Sequence, residues 1–253
     1  VDLVAIAVTV VAGVAMGAIN NLAGGAGVFG LMAFEYACGL PLLRANPSLR
    51  LAALCVGLFA YLGYRRSGLT IPARTWLVSL WALPGAPLGS WLALRLPDWC
   101  FWAYLTTVLA LLLRQQTKRP AADAPPRAYP AWVGPLGCFV AGVHMGYAQV
   151  GVGLMATLVL AVPFGRDLMA ITMAKSTLVI VTGLASVGSF VREDAIAWGP
   201  ASALAVGTAF GSYHASRWAT AKGTAALRRV VVGVSAVMLV YTASKLALTL
   251  AGA

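Results

Sequence analysis

Two stretches of this 253-residue chain combine glycine with hydrogen-bonding side chains at similar spacing. The first reads Gly17-Ala-Ile-Asn20-Asn21-Leu-Ala-Gly24-Gly25-Ala-Gly27. The second reads Gly142-Val-His144-Met-Gly146-Tyr147-Ala-Gln149-Val-Gly151-Val-Gly153. Asn20, Asn21, His144, Tyr147 and Gln149 can each donate a hydrogen bond to an anionic oxygen. Glycine lets the backbone turn sharply and approach a ligand closely. Each turn leads into a short apolar run, so its free N–H groups form the positive end of a helix. An oxyanion can be held there without a full buried cation. The expected site for a small anionic substrate therefore lies between Gly24, Gly25 and Gly27 on one side and Gln149, Gly151 and Gly153 on the other. The plainer alternative is that the glycines only permit close helix packing. The polar side chains would then satisfy backbone groups freed where a helix breaks.

Few charges lie inside apolar runs. Lys175 does, flanked by Thr172, Ser176 and Thr177. An ionisable group at membrane depth points to function, here attraction of an anion or titration. The alternative is that Lys175 snorkels to the interface near Arg166. Glu35 is the one acid inside a segment of the first half. It could carry the proton that couples transport, or it could pair with Lys175 or an arginine. His214, near Arg217 at a segment end, reads as interfacial. Cys38, Cys55, Cys100 and Cys138 fall in apolar runs with no CxxC, so they read as small buried hydrophobes, and no metal or other cofactor is expected. HExxH and GxSxG are absent, and every aspartate falls in an expected loop, so catalysis is not expected.

The elements that must position these residues are membrane helices. Hydrophobic residues make up 60% of the chain and charged residues 10%, against about 25% charged in a soluble domain. Ten apolar segments run roughly over 3–22, 28–42, 49–64, 75–94, 98–114, 131–149, 153–164, 168–190, 196–216 and 225–249. Residues 3–16 read as the first helix rather than a signal peptide. The stretch 115–130, rich in proline and charge, reads as a solvated linker between a first transmembrane repeat (1–114) and a second (131–253).

The net charge of +11 has a topological reading rather than a nucleic-acid one. With five segments per half, the second half enters the membrane in the opposite sense. The linker then shares a side with Arg65, Arg66, Arg74, Arg114, Arg166, Arg217 and the 222–229 cations, 12 basic residues in all. Arg44, Arg50, Arg95 and Arg192 make only 4 on the other side. That split predicts a cytoplasmic linker and two external termini. Segments two and seven are shorter than the ~20 residues of a full span. If each returns as a re-entrant hairpin, the parity is unchanged. The fold expected is an all-α polytopic membrane protein of two inverted repeats, with short broken or re-entrant helices at the Gly-rich turns.

Gly85, Gly89, Gly207 and Gly211, each pair a GxxxG followed by serine, should let segments four and nine cross closely. The eight tryptophans fall mostly near segment ends and read as interfacial anchors. The duplicated pattern of Gly-rich turn, short apolar helix, Ala170-Ile-Thr172-Met-Ala-Lys175-Ser176-Thr177 and GxxxG helix resembles the sulfite exporter (TauE/SafE) family. The resemblance covers about residues 5–114 and 132–248. Neither turn is a full GxGGG, and Asn46-Pro47-Ser48 stands where Thr-Ser is usual. The resemblance implies a multi-pass transporter of a bacterial inner membrane, exporting sulfite or an organosulfonate such as sulfoacetate. Uptake of, or a channel for, a thiosulfate-like anion is the alternative. The implied partners are the anion and the bilayer; oligomerisation is left open.

Overall fold

A computed structural model describes residues 2–22, 26–117, 129–165, 167–219 and 225–251. Among them every regular element is helical. Helix α1 (Leu3–Leu22) opens with the Asp2 carboxylate accepting from the Ala5 N–H at 2.7 Å, which satisfies one orphan donor of the first turn. Helix α2 (Gly27–Met32) runs directly into a π-helical turn, Ala33–Ala37. This arm returns alongside α1, because Thr9 Oγ1 and Cys38 Sγ lie 3.4 Å apart. Segment two is therefore the second arm of a hairpin.

Helix α3 (Leu42–Arg66) is longer than the segment expected at 49–64. Asn46-Pro47-Ser48 signals a break, yet the helix begins at Leu42 behind Pro41 and carries Pro47 inside it. Pro47 has no N–H, so the Leu43 carbonyl lacks its i+4 partner, a local loss that the packed helix tolerates. Ser48 ties the region down: its Oγ donates to the Arg44 carbonyl at 2.7 Å and accepts from the Ala197 N–H at 2.9 Å. Arg50, counted with the charges of one membrane face at the start of segment 49–64, lies within α3 with no exposed surface.

Segment four is two helices, α4 (Ala73–Leu80) and α5 (Gly85–Arg95), bent by 45°. Pro84 at the start of α5 accounts for the break, since its ring cannot continue the preceding helix. Helix α6 (Asp98–Thr117) leads to the linker, of which residues 118–128 lie outside the described residues. Helices α7 (Val133–Tyr147) and α8 (Val152–Phe164) form a second hairpin; a Cβ on Gly137 would touch Val159 Cγ1 at 3.1 Å. Helix α9 (Leu168–Arg192) is capped by Asp167, which accepts from the N–H groups of Met169 and Ala170. Helices α10 (Trp198–Ala219) and α11 (Ala225–Leu250) complete the chain.

Packing interleaves the two parts of the chain. Helix α1 packs on α10, α7 on α5, α3 on both α9 and α10, and α6 on α11. The GxxxG glycines are the contact points, as expected, but segments four and nine meet other helices rather than each other. A Cβ on Gly89 would overlap the Val143 carbonyl of α7, and one on Gly211 the Val14 carbonyl of α1.

By length and apolarity α1, α3 and α9 qualify as membrane spans among the described residues, and the bent α4–α5 pair makes a fourth if it is one span. Helix α10 falls short because its polar residues face protein. Thr208 Oγ1 donates to the Ala52 carbonyl at 3.2 Å, and Ser212 Oγ to the Val56 carbonyl at 2.7 Å. The charged ends group together. Arg44 Nη1 donates to the Asp194 carbonyl at 2.8 Å at one end, where Arg95 and Arg192 share a cleft. At the other end of α3, Arg66 and His214 share a second cleft. Most tryptophans are exposed near helix ends, but Trp102 is core, edge-on to Tyr241 with centroids 5.7 Å apart.

Candidate anion site

The two glycine turns meet. A Cβ on Gly27, at the start of α2, would overlap the Gln149 carbonyl oxygen, so only glycine allows this approach. Gly151, at the N-terminus of α8, holds φ at 75°, a left-handed conformation that costs other residues roughly 1–2 kcal/mol. It turns the chain from the end of α7 into α8 within four residues, 148–151. No side chain caps α8, so its first-turn N–H groups are free to face a ligand.

Around this junction the expected site residues divide into two groups. Asn20, Gly153, Thr172, Lys175 and Ser176 line one narrow pocket, together with Val56, Gly57, Ala60 and Tyr64 of α3. Lys175 is half-buried there. Its ammonium makes no hydrogen bond or ion pair with any described residue, and the side chains of Asn20, Tyr64 and Thr172 are likewise without hydrogen-bond partners among them. Ser176 differs, because its hydroxyl already donates to the Met173 carbonyl at 2.6 Å. The N-terminus of α8 contributes Val152 and Gly153 to the wall, adding the positive end of a helix to the ammonium. The lining brings together side-chain donors and one cation, with no carboxylate among its residues. The pocket is little wider than a water molecule, so a larger anion requires the turns to move.

His144, Tyr147 and Gln149 belong to the second group, around Arg50. This guanidinium donates from Nη1 to Gln149 Oε1, and from Nη2 to Asn46 Oδ1 and the Gly146 carbonyl, each at 3.0 Å. Asn46 Nδ2 donates to the Tyr147 carbonyl at 2.9 Å. Asn46 and Arg50 thus satisfy two carbonyls at the C-terminus of α7, where a cation also complements the helix dipole. Among the described residues no carboxylate pairs with Arg50, and the Phe190 ring lies 5.4 Å from its guanidinium. His144 is buried with Nδ1 2.7 Å from the Tyr104 hydroxyl, and the Tyr147 ring packs against Tyr104 and Phe101. These three residues stand behind the turn rather than in the Lys175 pocket.

Glu35 is apart from both groups. It pairs with Lys245 of α11 at 3.1 Å and accepts from the Tyr241 hydroxyl. The expectation of a Lys175 partner is corrected, for the π-helical turn aims Glu35 at α11. Gly24 and Gly25 lie outside the described residues, as does the side chain of Asn21.

Sequence reasoning missed Arg50, Asn46 and Tyr64. The proline at 47 hid the first two by suggesting a loop. The i, i+4 spacing of Asn46 and Arg50 on one helix face was the available signal.

No curated protein and no solved structure matches the chain. The family model for Sulfite exporter TauE/SafE matches residues 9–242, a stretch that contains every residue lining the Lys175 pocket. The chain therefore belongs to the sulfite exporter TauE/SafE family, whose members are membrane transporters and not enzymes.

Proposed function

We propose that the protein is a secondary transporter that exports a small sulfur oxyanion, sulfite or an organosulfonate such as sulfoacetate, across a bacterial inner membrane. The observation that carries this reading is the Lys175 ammonium, unpaired among the described residues, in a pocket where Asn20, Tyr64 and Thr172 also present side chains without partners. A half-buried cation with no counter-ion bears part of the desolvation cost of its charge, and a bound anion offsets it. Asn20, Thr172, Lys175 and the N-terminus of α8 bind the anion; Gly27 and Gly151 let the two turns close on it.

Alternating access about an inverted repeat is the mechanism we infer. Its support is the exchange of partners across the linker: α1 packs on α10 as α7 packs on α5, and each part contributes one helical hairpin. Arg44, Arg95 and Arg192 stand at one end and Arg66 at the other, the separation on which the sequence count of basic residues rests, and the larger count on the Arg66 and linker side supports a cytoplasmic linker and external termini. Proton coupling is assigned to Glu35, whose carboxylate is shared by Lys245 and Tyr241.

The test is reconstitution of the full chain in liposomes with a panel of sulfite, sulfoacetate, thiosulfate, sulfate and acetate, each with and without a pH gradient. Saturable flux of one sulfur oxyanion, driven by the gradient, supports the reading. Flux that does not saturate identifies a channel instead. Folded protein that moves none of the five refutes the oxyanion assignment.

A further inference from the structure

A cleft of about 600 Å³ lies between α5 and α9, at the end of the bundle where Arg44 meets Asp194. Arg95 ends α5 and Arg192 ends α9, and both line the cleft along with Glu193. Neither guanidinium makes a hydrogen bond or ion pair with a described residue. Arg95 stacks over the Trp91 ring, 4.9 Å from its centroid, which holds the planar fork in place while leaving its N–H donors unused. The hydroxyls of Ser90 and Ser189, also in the lining, donate to the carbonyls of Ala86 and Ala185. The free side-chain donors in the cleft are therefore the two guanidiniums and the Trp91 indole N–H. Glu193 offsets one of the two charges, which leaves the cleft net positive.

We propose that this cleft is a second oxyanion site, separate from the Lys175 pocket. From Lys175 to Arg192 along α9 is about 25 Å at 1.5 Å per residue, so the two sites do not share a ligand. A guanidinium offers paired donors matched to the oxygens of a sulfonate, sulfite or phosphate group. The position, at the mouth of the bundle between two helices of different halves, suits an anion waiting to enter or leave. The same chemistry would accept the phosphate of an anionic lipid, so the source of the oxyanion is what the experiment must separate.

The full chain is placed in phosphatidylcholine nanodiscs and titrated calorimetrically with sulfite, as wild type, as Arg95→Gln/Arg192→Gln and as Lys175→Gln. The expected result is two classes of site. The double arginine variant weakens one class by about tenfold or more. The lysine variant weakens only the other. A parallel arm adds phosphatidylglycerol to the nanodiscs. Arginine-dependent loss of sulfite binding in that arm, or arginine-dependent retention of the lipid, assigns the cleft to lipid phosphate. The proposal is overturned if the double variant binds sulfite and phosphatidylglycerol as wild type does. Arg95→Lys/Arg192→Lys restores charge and controls for misfolding. An arginine effect with no lysine effect keeps this inference and refutes the Lys175 site.

Discussion

Arg50 and Lys175 are both cations inside a helical bundle, and they are stabilised differently. Arg50 donates from Nη1 and Nη2 to Gln149, Asn46 and the Gly146 carbonyl, while its buried Nε has no partner. Hydrogen bonds to a charged group contribute about 1.5–3 kcal/mol each. Arg50→Gln should therefore lower the stability of purified protein by at least about 2 kcal/mol, read as a lower denaturation midpoint in detergent. Arg50→Lys should fall between, because an ammonium cannot present a planar fork to three acceptors. A midpoint for Arg50→Gln equal to wild type would remove the clamp role. Lys175 has no such partners, so Lys175→Gln should leave the midpoint within about 1 kcal/mol of wild type or raise it. Lys175 was legible in the sequence as a lone charge among apolar residues. Arg50 was not, because its helix begins before a proline that reads as a break.

At the scale of elements, the glycine turns and the Glu35–Lys245 pair make the sharpest predictions. Gly27→Val places a side chain where the Gln149 carbonyl oxygen stands, so the turns must separate. The expected outcome is loss of transport with protein still inserted, checked by flux alongside gel filtration of the purified variant. Full flux in that variant would mean the turns need not touch. The Glu35–Lys245 pair joins the first hairpin to α11 and is largely shielded, with side-chain exposures of 13% and 22%. If Glu35 carries the coupling proton, Glu35→Gln keeps downhill flux but removes its dependence on a pH gradient. Unchanged gradient dependence would leave the pair as a structural tie only. The existence of nearly every helix was legible from apolar runs. The π-helical turn at Ala33–Ala37 was not, since no local composition marks it, and the break at Pro84, though marked by its proline, was hidden by a continuous apolar run.

For the molecule as a whole, the sidedness of the charged ends predicts orientation. A protease site inserted in the 115–130 linker should be cut in inverted membrane vesicles and protected in right-side-out spheroplasts. The opposite pattern would reverse the topology and put the Arg95–Arg192 mouth on the cytoplasmic face. The all-helical architecture, the meeting of the two turns and the membership of a transporter family could all be anticipated from a duplicated motif. The division of the polar residues into a ligand-facing group and a backing group could not. His144, Tyr147 and Gln149 have the same donor chemistry as Asn20 and Thr172, and only three-dimensional packing against Arg50 and Tyr104 separates them.

The central claim is that Lys175 holds the transported anion between the two glycine turns. Sulfite flux into or out of liposomes, measured as a function of concentration for wild type, Lys175→Arg and Lys175→Gln at equal reconstituted amounts, addresses it most directly. Loss of one charge-assisted contact predicts a fall in transport efficiency of about tenfold or more for Lys175→Gln, with partial recovery in Lys175→Arg. Wild-type efficiency in Lys175→Gln would contradict the account and leave the pocket without a role in recognition.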